Sequence, residues 1–147
     1  MTYVKTLALL LTALVAQAFA STPSKADDAP KAKPAGQKVF ELRTYYTHPG
    51  RLDALNARFR DHTGKLFQKH GMELVGFWTP ADEKDGKSDK LVYLLAYPSR
   101  DAAKASWKGF SDDPEWKKAR EASEKDGPIV KKVESVYLDP TDYSAIK

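Results

Sequence analysis

Hydrophobic and polar positions along the chain predict four β-strands. Their sequences are rich in β-branched, aromatic and aliphatic residues, and turn residues separate them from their neighbours. His48-Pro49-Gly50 ends the first strand, and Gly127-Pro128 precedes the last. The predicted strands are residues 38–46, 72–79, 90–97 and 129–138.

Two stretches between these strands predict helices. In residues 51–70, one stripe at helical spacing combines apolar side chains with a histidine, and Gly71 follows as a C-terminal cap. Residues 99–125 begin with a capping serine and are interrupted at Asp113-Pro114, where a second cap precedes a proline suited to the first helical position. The stripe of the first helix consists of Leu52, Leu55, Phe59, His62 and Leu66.

The element order is β-α-β-β-α-β, which is the ferredoxin-like arrangement of the α+β class. The third strand is apolar on both faces, a pattern typical of a strand that is buried on both sides. Two helices can cover only one face of such a sheet, so we expect a second copy of the chain to cover the other. The predicted assembly is a homodimer, a dimeric α+β barrel. One face of the third strand carries Leu91, Tyr93, Leu95 and Tyr97, and the other carries Val92, Leu94 and Ala96.

Residues 1–20 predict a signal peptide. Lys5 precedes an uncharged, leucine-rich run at 6–16, and the Ala-Phe-Ala sequence at 18–20 matches a cleavage site before Ser21. The apolar run is short for a membrane-spanning helix, although an uncleaved anchor is the alternative. We therefore expect export, either to a periplasm or to the outside of the cell.

The folded part of the chain is predicted at residues 38–147. Residues 21–37 are rich in Pro, Ala, Lys and Asp and contain no aromatic residue, so they cannot bury enough surface to fold and predict a disordered linker. A chain of 147 residues accommodates one domain with a short extension.

Charge and residue usage exclude several functions. Lys and Arg number 24 against 20 Asp and Glu, and the two signs are interspersed, unlike the dense basic stripe of a nucleic-acid-binding protein. The chain has no cysteine, which excludes disulfides and thiolate sites. His62 and His70 lie two helical turns apart and His48 lies in a turn, so we predict no metal site. No cofactor is predicted either.

Glu41 and Arg43 are an unusual pair in the first strand. They are two residues apart, so both side chains lie on the same face as Val39 and Tyr45. A structural ion pair is one interpretation, and replacing both charges by apolar residues should then be neutral or stabilising. In the alternative, they form the polar wall of a pocket, where Arg43 binds an anionic or carbonyl oxygen and Glu41 is a base if burial raises its pKa. Exposed positions are the third possibility.

His62 and the large aromatic residues are the other candidates. On the apolar stripe of the first helix, His62 is either a packed residue or a general acid or base that faces the sheet. The aromatic residues are core or interface anchors, or they line a cleft for a flat apolar ligand together with Arg43. The aromatic candidates for ligand binding are Tyr45, Trp78, Tyr93 and Tyr97.

Several separated motifs resemble the NIPSNAP family. They include "ELRTYY", "PGRLDALNARFRDHTGKLFQKHGMELVGFW", "YLLAYPSRDAAKASWKGF", "DDPEW" and "VESVYLDPTDYS", and the similarity extends from about Val39 to Ser144. The resemblance implies the dimeric α+β barrel fold. Longer animal members are mitochondrial and are associated with vesicle transport and mitophagy, roles that do not suit a chain with a secretory signal. Proteins that share this fold more distantly include cofactor-free monooxygenases, isomerases and haem enzymes.

Three functions remain open from the sequence. The first is an exported homodimer that binds a small, mostly apolar ligand between the sheet and the helices. The second is a cofactor-independent oxygenase or isomerase that acts on an aromatic or enolisable compound. The third is a purely structural interaction module.

Overall fold

The computed structural model describes residues 36–147, which form one four-stranded sheet with helices. The predicted signal peptide and residues 21–35 of the predicted linker lie outside the described residues. The order of strands in the sheet is β2-β3-β1-β4, and all neighbouring strands are antiparallel. The strands are β1 (Val39–Thr47), β2 (Glu73–Trp78), β3 (Lys90–Tyr97) and β4 (Val130–Leu138).

The helices lie between the strands as predicted, although the first has a local irregularity. It comprises α1 (Leu52–Arg58), a π-helical turn (Phe59–Thr63) and α2 (Gly64–Lys69). The second helical region is divided into α3 (Arg100–Asp112) and α4 (Pro114–Ser123), and a short 3-10 turn (Glu83–Asp85) precedes β3. The element order and the strand order together confirm the ferredoxin-like α+β fold.

Local capping explains where the later helices begin. Ser99 caps α3 by accepting a hydrogen bond from the Ala102 amide at 3.1 Å. Asp113 caps α4 by accepting one from the Glu115 amide at 2.8 Å, and Pro114 occupies the first turn. Both caps were predicted from the sequence.

The π-helical turn corrects the prediction for His62. The Gly64 amide donates to the Phe59 carbonyl, five residues earlier, so this turn contains one residue more than an α-helical turn. Beyond this point the buried side chains include Thr63 and Phe67, each one position after a predicted stripe residue, while Leu66 is buried as predicted. Thr63 is buried in the place predicted for His62, and His62 is exposed.

The core lies between the helices and one face of the sheet. On β3, the side chains of Leu91, Tyr93, Leu95 and Tyr97, which were predicted to share one face, are all buried. A register irregularity in β2 between Leu74 and Gly76 changes the faces that strict alternation predicts. Leu74 and Phe77 therefore share the helix-covered face, and Trp78 lies on the other, where its ring covers Gly76.

The other side of the sheet, which we call the open face, is only partly covered. Phe40 on this side is 5% exposed, and residues 139–146 lie beside it. Trp78 and Val136, in contrast, are each 53% exposed. No helix within residues 36–147 has the length and hydrophobicity to cross a membrane.

Candidate functional site

A buried carboxylate lies at the centre of the contact between sheet and helices. Glu41 of β1 is 1% exposed. One of its oxygens accepts hydrogen bonds from Arg43 Nη1 and Ser135 Oγ, both at 2.6 Å. The other accepts from the Tyr97 hydroxyl at 2.8 Å and from Trp107 Nε1 at 2.6 Å. Since these donors come from β1, β3, β4 and α3, the carboxylate connects three strands to one helix.

This environment keeps Glu41 ionised. Burial alone would raise the pKa of its carboxyl group, but the hydrogen bonds from Ser135, Trp107, Arg43 and Tyr97 outweigh burial and hold the pKa below its ordinary value. Glu41 was expected to act as a base only if burial raised its pKa. Its pKa is lowered instead, so this condition is not met. The arrangement favours a permanently charged acceptor.

Arg43 has a partly open environment. Its side chain is 16% exposed, and the guanidinium carbon lies 4.1 Å from the centre of the Trp107 ring and 5.7 Å from that of Tyr45. Burial opposes its charge, but the neighbouring Tyr93, Tyr45 and Glu41 raise the pKa of Arg43 further. Arg43 Nε is buried and has no hydrogen-bond partner within residues 36–147.

Tyr93 is the second residue of this cluster with an unpaired polar group. It is directly opposite Arg43 in the β1–β3 ladder and is fully buried. Among the described residues, its hydroxyl has no hydrogen-bond partner of good geometry, although Tyr45 and Arg43 are near enough to affect its pKa. Burial raises the pKa of Tyr93 well above its ordinary value, so the hydroxyl stays protonated.

The structure brings together most, but not all, of the residues proposed from the sequence. Arg43, Tyr45, Tyr93 and Tyr97 lie around Glu41 on the helix-covered face. Trp78 lies on the open face. His62 lies on the outside of the helix, in a shallow depression beside Ala119 and Ser123.

Two further members of the cluster, Trp107 and Ser135, were not identified as site residues. Trp107 was not among the aromatic candidates for ligand binding, and it reaches Glu41 from α3. Ser135 is paired with Arg43 in the β1–β4 ladder, so it reaches Glu41 across the strands. Only the strand register reveals this contact, because residues 41 and 135 are remote in sequence.

A separate cleft of about 400 Å³ opens between the first helical region and strands β2 and β3. We call it the Phe59–Phe77 cleft. Phe59 and Phe77 lie 5.8 Å apart between ring centres, and both contact the buried Tyr93 ring, on which Phe77 stacks at 5.6 Å. Tyr93 therefore connects this cleft to the Glu41 cluster. The lining residues are Asn56, Phe59, Arg60, Gly64, Lys65, Gln68, Leu74, Phe77 and Leu91.

Within residues 36–147, no group of three or more His, Cys, Asp or Glu side chains could hold a metal ion. His70 contacts Asp113 Oδ2 through Nε2 at 2.7 Å. That contact fixes the end of α2 to the start of α4.

Solved structures show the same fold. A NIPSNAP family protein of unknown function from Agrobacterium tumefaciens is 21% identical, with a TM-score of 0.65, and the match covers 76% of this chain and 96% of that one. An uncharacterized NIPSNAP domain protein from Burkholderia xenovorans is 23% identical, with a TM-score of 0.61 and coverage of 72% and 97%. A NIPSNAP-like domain protein from the same organism is 16% identical, with a TM-score of 0.64 and coverage of 74% and 90%.

Sequence comparison identifies the family. No curated protein matches the chain significantly. A sequence model of the NIPSNAP family matches residues 40–145, which include all four strands except the first residue of β1. Because this match covers well over half of the chain, the chain belongs to the NIPSNAP family.

Proposed function

We propose that this protein binds a small, mostly apolar ligand in the Phe59–Phe77 cleft. The observation that carries the proposal is Phe77, which is 38% exposed on an inner face of the sheet although its ring stacks on the fully buried Tyr93. An aromatic ring at the mouth of an apolar cleft offers a surface that a ligand can cover. The volume of about 400 Å³ lies within the range of small-molecule sites.

The rest of the cleft supports the same function. Leu74 and Leu91 contribute aliphatic surface from β2 and β3, and Phe59 contributes an aromatic ring from the helix. The π-helical turn at Phe59–Thr63 lies beside the cleft, and such turns occur frequently at functional sites. The Glu41 cluster lies next to this site, because Tyr93 contacts both Phe59 and Phe77 and is paired with Arg43 in the sheet. Four hydrogen-bond donors surround the Glu41 carboxylate.

Blocking the cleft tests this function. Asn56 is half-buried at the cleft and makes no side-chain hydrogen bond with a described residue, so Asn56→Trp should fill the space without disturbing the core. The neutral fluorescent probe N-phenylnaphthylamine should bind the wild type, and Asn56→Trp should weaken this binding by about tenfold or more, equivalent to about 1.4 kcal/mol.

The matched control is Asp61→Trp, which adds the same ring at an exposed position of the same helical region, away from the cleft. It should leave probe binding unchanged. Equal binding by wild type and Asn56→Trp, or no binding by the wild type, would contradict the proposed site.

We also propose that the protein acts as an exported homodimer. The exposed Trp78 and Val136 on the open face support pairing through that face, and the predicted cleavage before Ser21 supports export. N-terminal sequencing of protein from the producing cell should begin at or near Ser21. An intact chain that begins at Met1 in the cytosol would contradict export.

A further inference from the structure

We infer that the ligand of the Phe59–Phe77 cleft is an amphipathic monocarboxylate whose charged group is bound by Arg60 and Lys65. This inference rests on the proposed function and adds the chemical class of the ligand. The hydrocarbon part would contact the rings and leucines of the cleft, and the carboxylate would lie at the rim on the helix side.

The first argument is the charge of the lining. Among residues 36–147, the ionised residues that line the cleft are Arg60 and Lys65, and no carboxylate of this range lies in the lining to balance them. The remaining polar side chains are the neutral amides of Asn56 and Gln68. An apolar cleft with an unbalanced positive rim is complementary to a ligand with a hydrocarbon body and a negative end.

The second argument is that these two cations have no partner within the described chain. Arg60 and Lys65 make no ion pair or side-chain hydrogen bond with a residue of 36–147. Their neighbours in the same helical region differ, since Arg58 pairs with Glu124 at 3.1 Å and Lys69 contacts Glu115 at 2.9 Å. Arg60 and Lys65, which have no ion pair within residues 36–147, are therefore also the cations of this helical region that line the cleft.

The third argument is the π-helical turn. Arg60 and Lys65 are five residues apart, and in an α-helix this spacing would separate their directions by about 140°. A π-helical turn joins residues five apart, as the Gly64 amide and the Phe59 carbonyl show, and therefore places such residues above one another. The inserted residue brings both cations to the same side of the helix, where the cleft opens.

The shape of the donor groups favours a carboxylate. The guanidinium of Arg60 can bind a planar carboxylate through two parallel hydrogen bonds, and Lys65 adds a second positive charge beside it. All of these lining residues belong to helices or strands. The Gly64 amide at the start of α2 already donates to the Phe59 carbonyl, so neither a free helix N-terminus nor a glycine-rich loop among them adds amide donors for a phosphate.

A matched pair of ligands tests the inference. Displacement of N-phenylnaphthylamine from the full-length mature protein would be measured with decanoate and with decanol, which share the alkyl chain and differ in charge. Decanoate should bind the wild type about tenfold more tightly than decanol, and added salt should reduce this preference. Arg60→Gln with Lys65→Gln should abolish the preference and leave decanol binding unchanged.

The control is Lys104→Gln with Lys118→Gln, which removes the same charge from exposed positions on α3 and α4. It should retain the preference for decanoate. Equal affinity of the wild type for both ligands, or an unchanged preference in the Arg60 and Lys65 variant, would overturn the assignment of an anion while leaving the apolar site intact. If neither the probe nor either ligand binds, the proposed function fails together with the inference.

Discussion

Glu41 is the residue on which the polar contacts of the interior converge. Burying a carboxylate costs several kcal/mol of solvation, and here four donors offset that cost. The contribution of Arg43 is smaller, because it supplies one of the four donors and its side chain is partly exposed. The two charges are therefore not equivalent, although the sequence presents them as a simple pair.

Replacing both charges is expected to destabilise the protein. In Glu41→Leu with Arg43→Met, the Tyr97 hydroxyl and Trp107 Nε1 lose their acceptor, at about 1–3 kcal/mol each. Glu41→Leu alone should cost at least as much as the double variant, because it also leaves the guanidinium unpaired, and breaking a buried ion pair by itself costs about 3–5 kcal/mol. Urea unfolding of the variants measures these differences.

The control for these variants is Lys108→Met, which breaks an exposed ion pair with Asp112 and should cause no measurable change. A double variant as stable as the wild type would contradict the importance of the donors and would restore the simple ion-pair interpretation.

At the scale of elements, the π-helical turn determines which side chains of the first helix face the sheet. Thr63 is buried, and its hydroxyl donates to the Arg58 carbonyl at 3.2 Å. His62, next to it, is exposed. Because of the one inserted residue, Thr63 and not the predicted His62 lies on the side of the helix that faces the sheet.

Substitutions at these adjacent positions should have opposite outcomes. Thr63→Val removes a buried hydrogen bond and should lower the free energy of unfolding by about 0.5–1.5 kcal/mol. His62→Ala should have little effect, because the side chain is exposed. Thermal or urea unfolding of the two variants measures both changes in stability. A large loss in His62→Ala with none in Thr63→Val would mean that the helix has regular α-helical register.

The charged side chain of Asp113 links the start of α4 to the end of α2. Its carboxylate caps α4 and contacts His70 at 2.7 Å and Lys69 at 3.0 Å. Hydrogen bonds from His70 and Lys69 outweigh burial and hold the pKa of Asp113 well below its ordinary value. A carboxyl group with a lowered folded-state pKa stabilises the fold above its unfolded-state pKa, and this stabilisation is lost as the pH falls through the folded-state value.

The pH dependence of stability should therefore change in Asp113→Asn, which retains a good capping side chain but not the charge. At neutral pH the variant should be less stable than the wild type, and the difference should shrink as the pH falls below the ordinary pKa of an aspartate. Urea unfolding at a series of pH values measures this. Asp61→Asn, at an exposed position that has no ion pair within residues 36–147, is the control. A difference that stays constant down to strongly acidic pH would refute the charge contribution.

At the scale of the whole molecule, the open face is the side of the sheet on which large apolar side chains remain exposed to solvent. Residues 139–146 lie beside Phe40, but Trp78 and Val136 remain about half exposed. A second copy that covers these side chains would bury apolar surface at about 25 cal/mol per Å². This physical gain is the reason to expect a dimer through this face.

A charge on the open face should therefore separate the dimer. Light scattering of the mature wild type should give twice the mass of one chain, and Val136→Glu should give the mass of one chain with an unchanged circular dichroism spectrum. Val133→Glu is the matched control, since Val133 lies on the same strand with 41% exposure but on the other face. A monomeric wild type, or equal disruption by both variants, would contradict pairing through the open face.

The sequence alone determined the fold, because the signals for it are local. Runs of β-branched, aromatic and aliphatic residues placed the four strands, and serine, aspartate, proline and glycine marked the helix ends at Ser99, Asp113 and Gly71. The two-residue period of a strand correctly placed Glu41, Arg43 and Tyr45 on one face of β1, and Tyr93 and Tyr97 on one face of β3. These features depend on residues a few positions apart, which a sequence displays directly.

The tertiary structure alone decided the details of the site, because they depend on register. One extra residue in the π-helical turn removed His62 from the interior, and the irregularity in β2 left Trp78 on the opposite face from Phe77. The contact of Ser135 with Glu41 requires the pairing of β1 with β4. A shift of one residue reverses the direction of a side chain without changing the average pattern, so only the folded packing determines which groups meet.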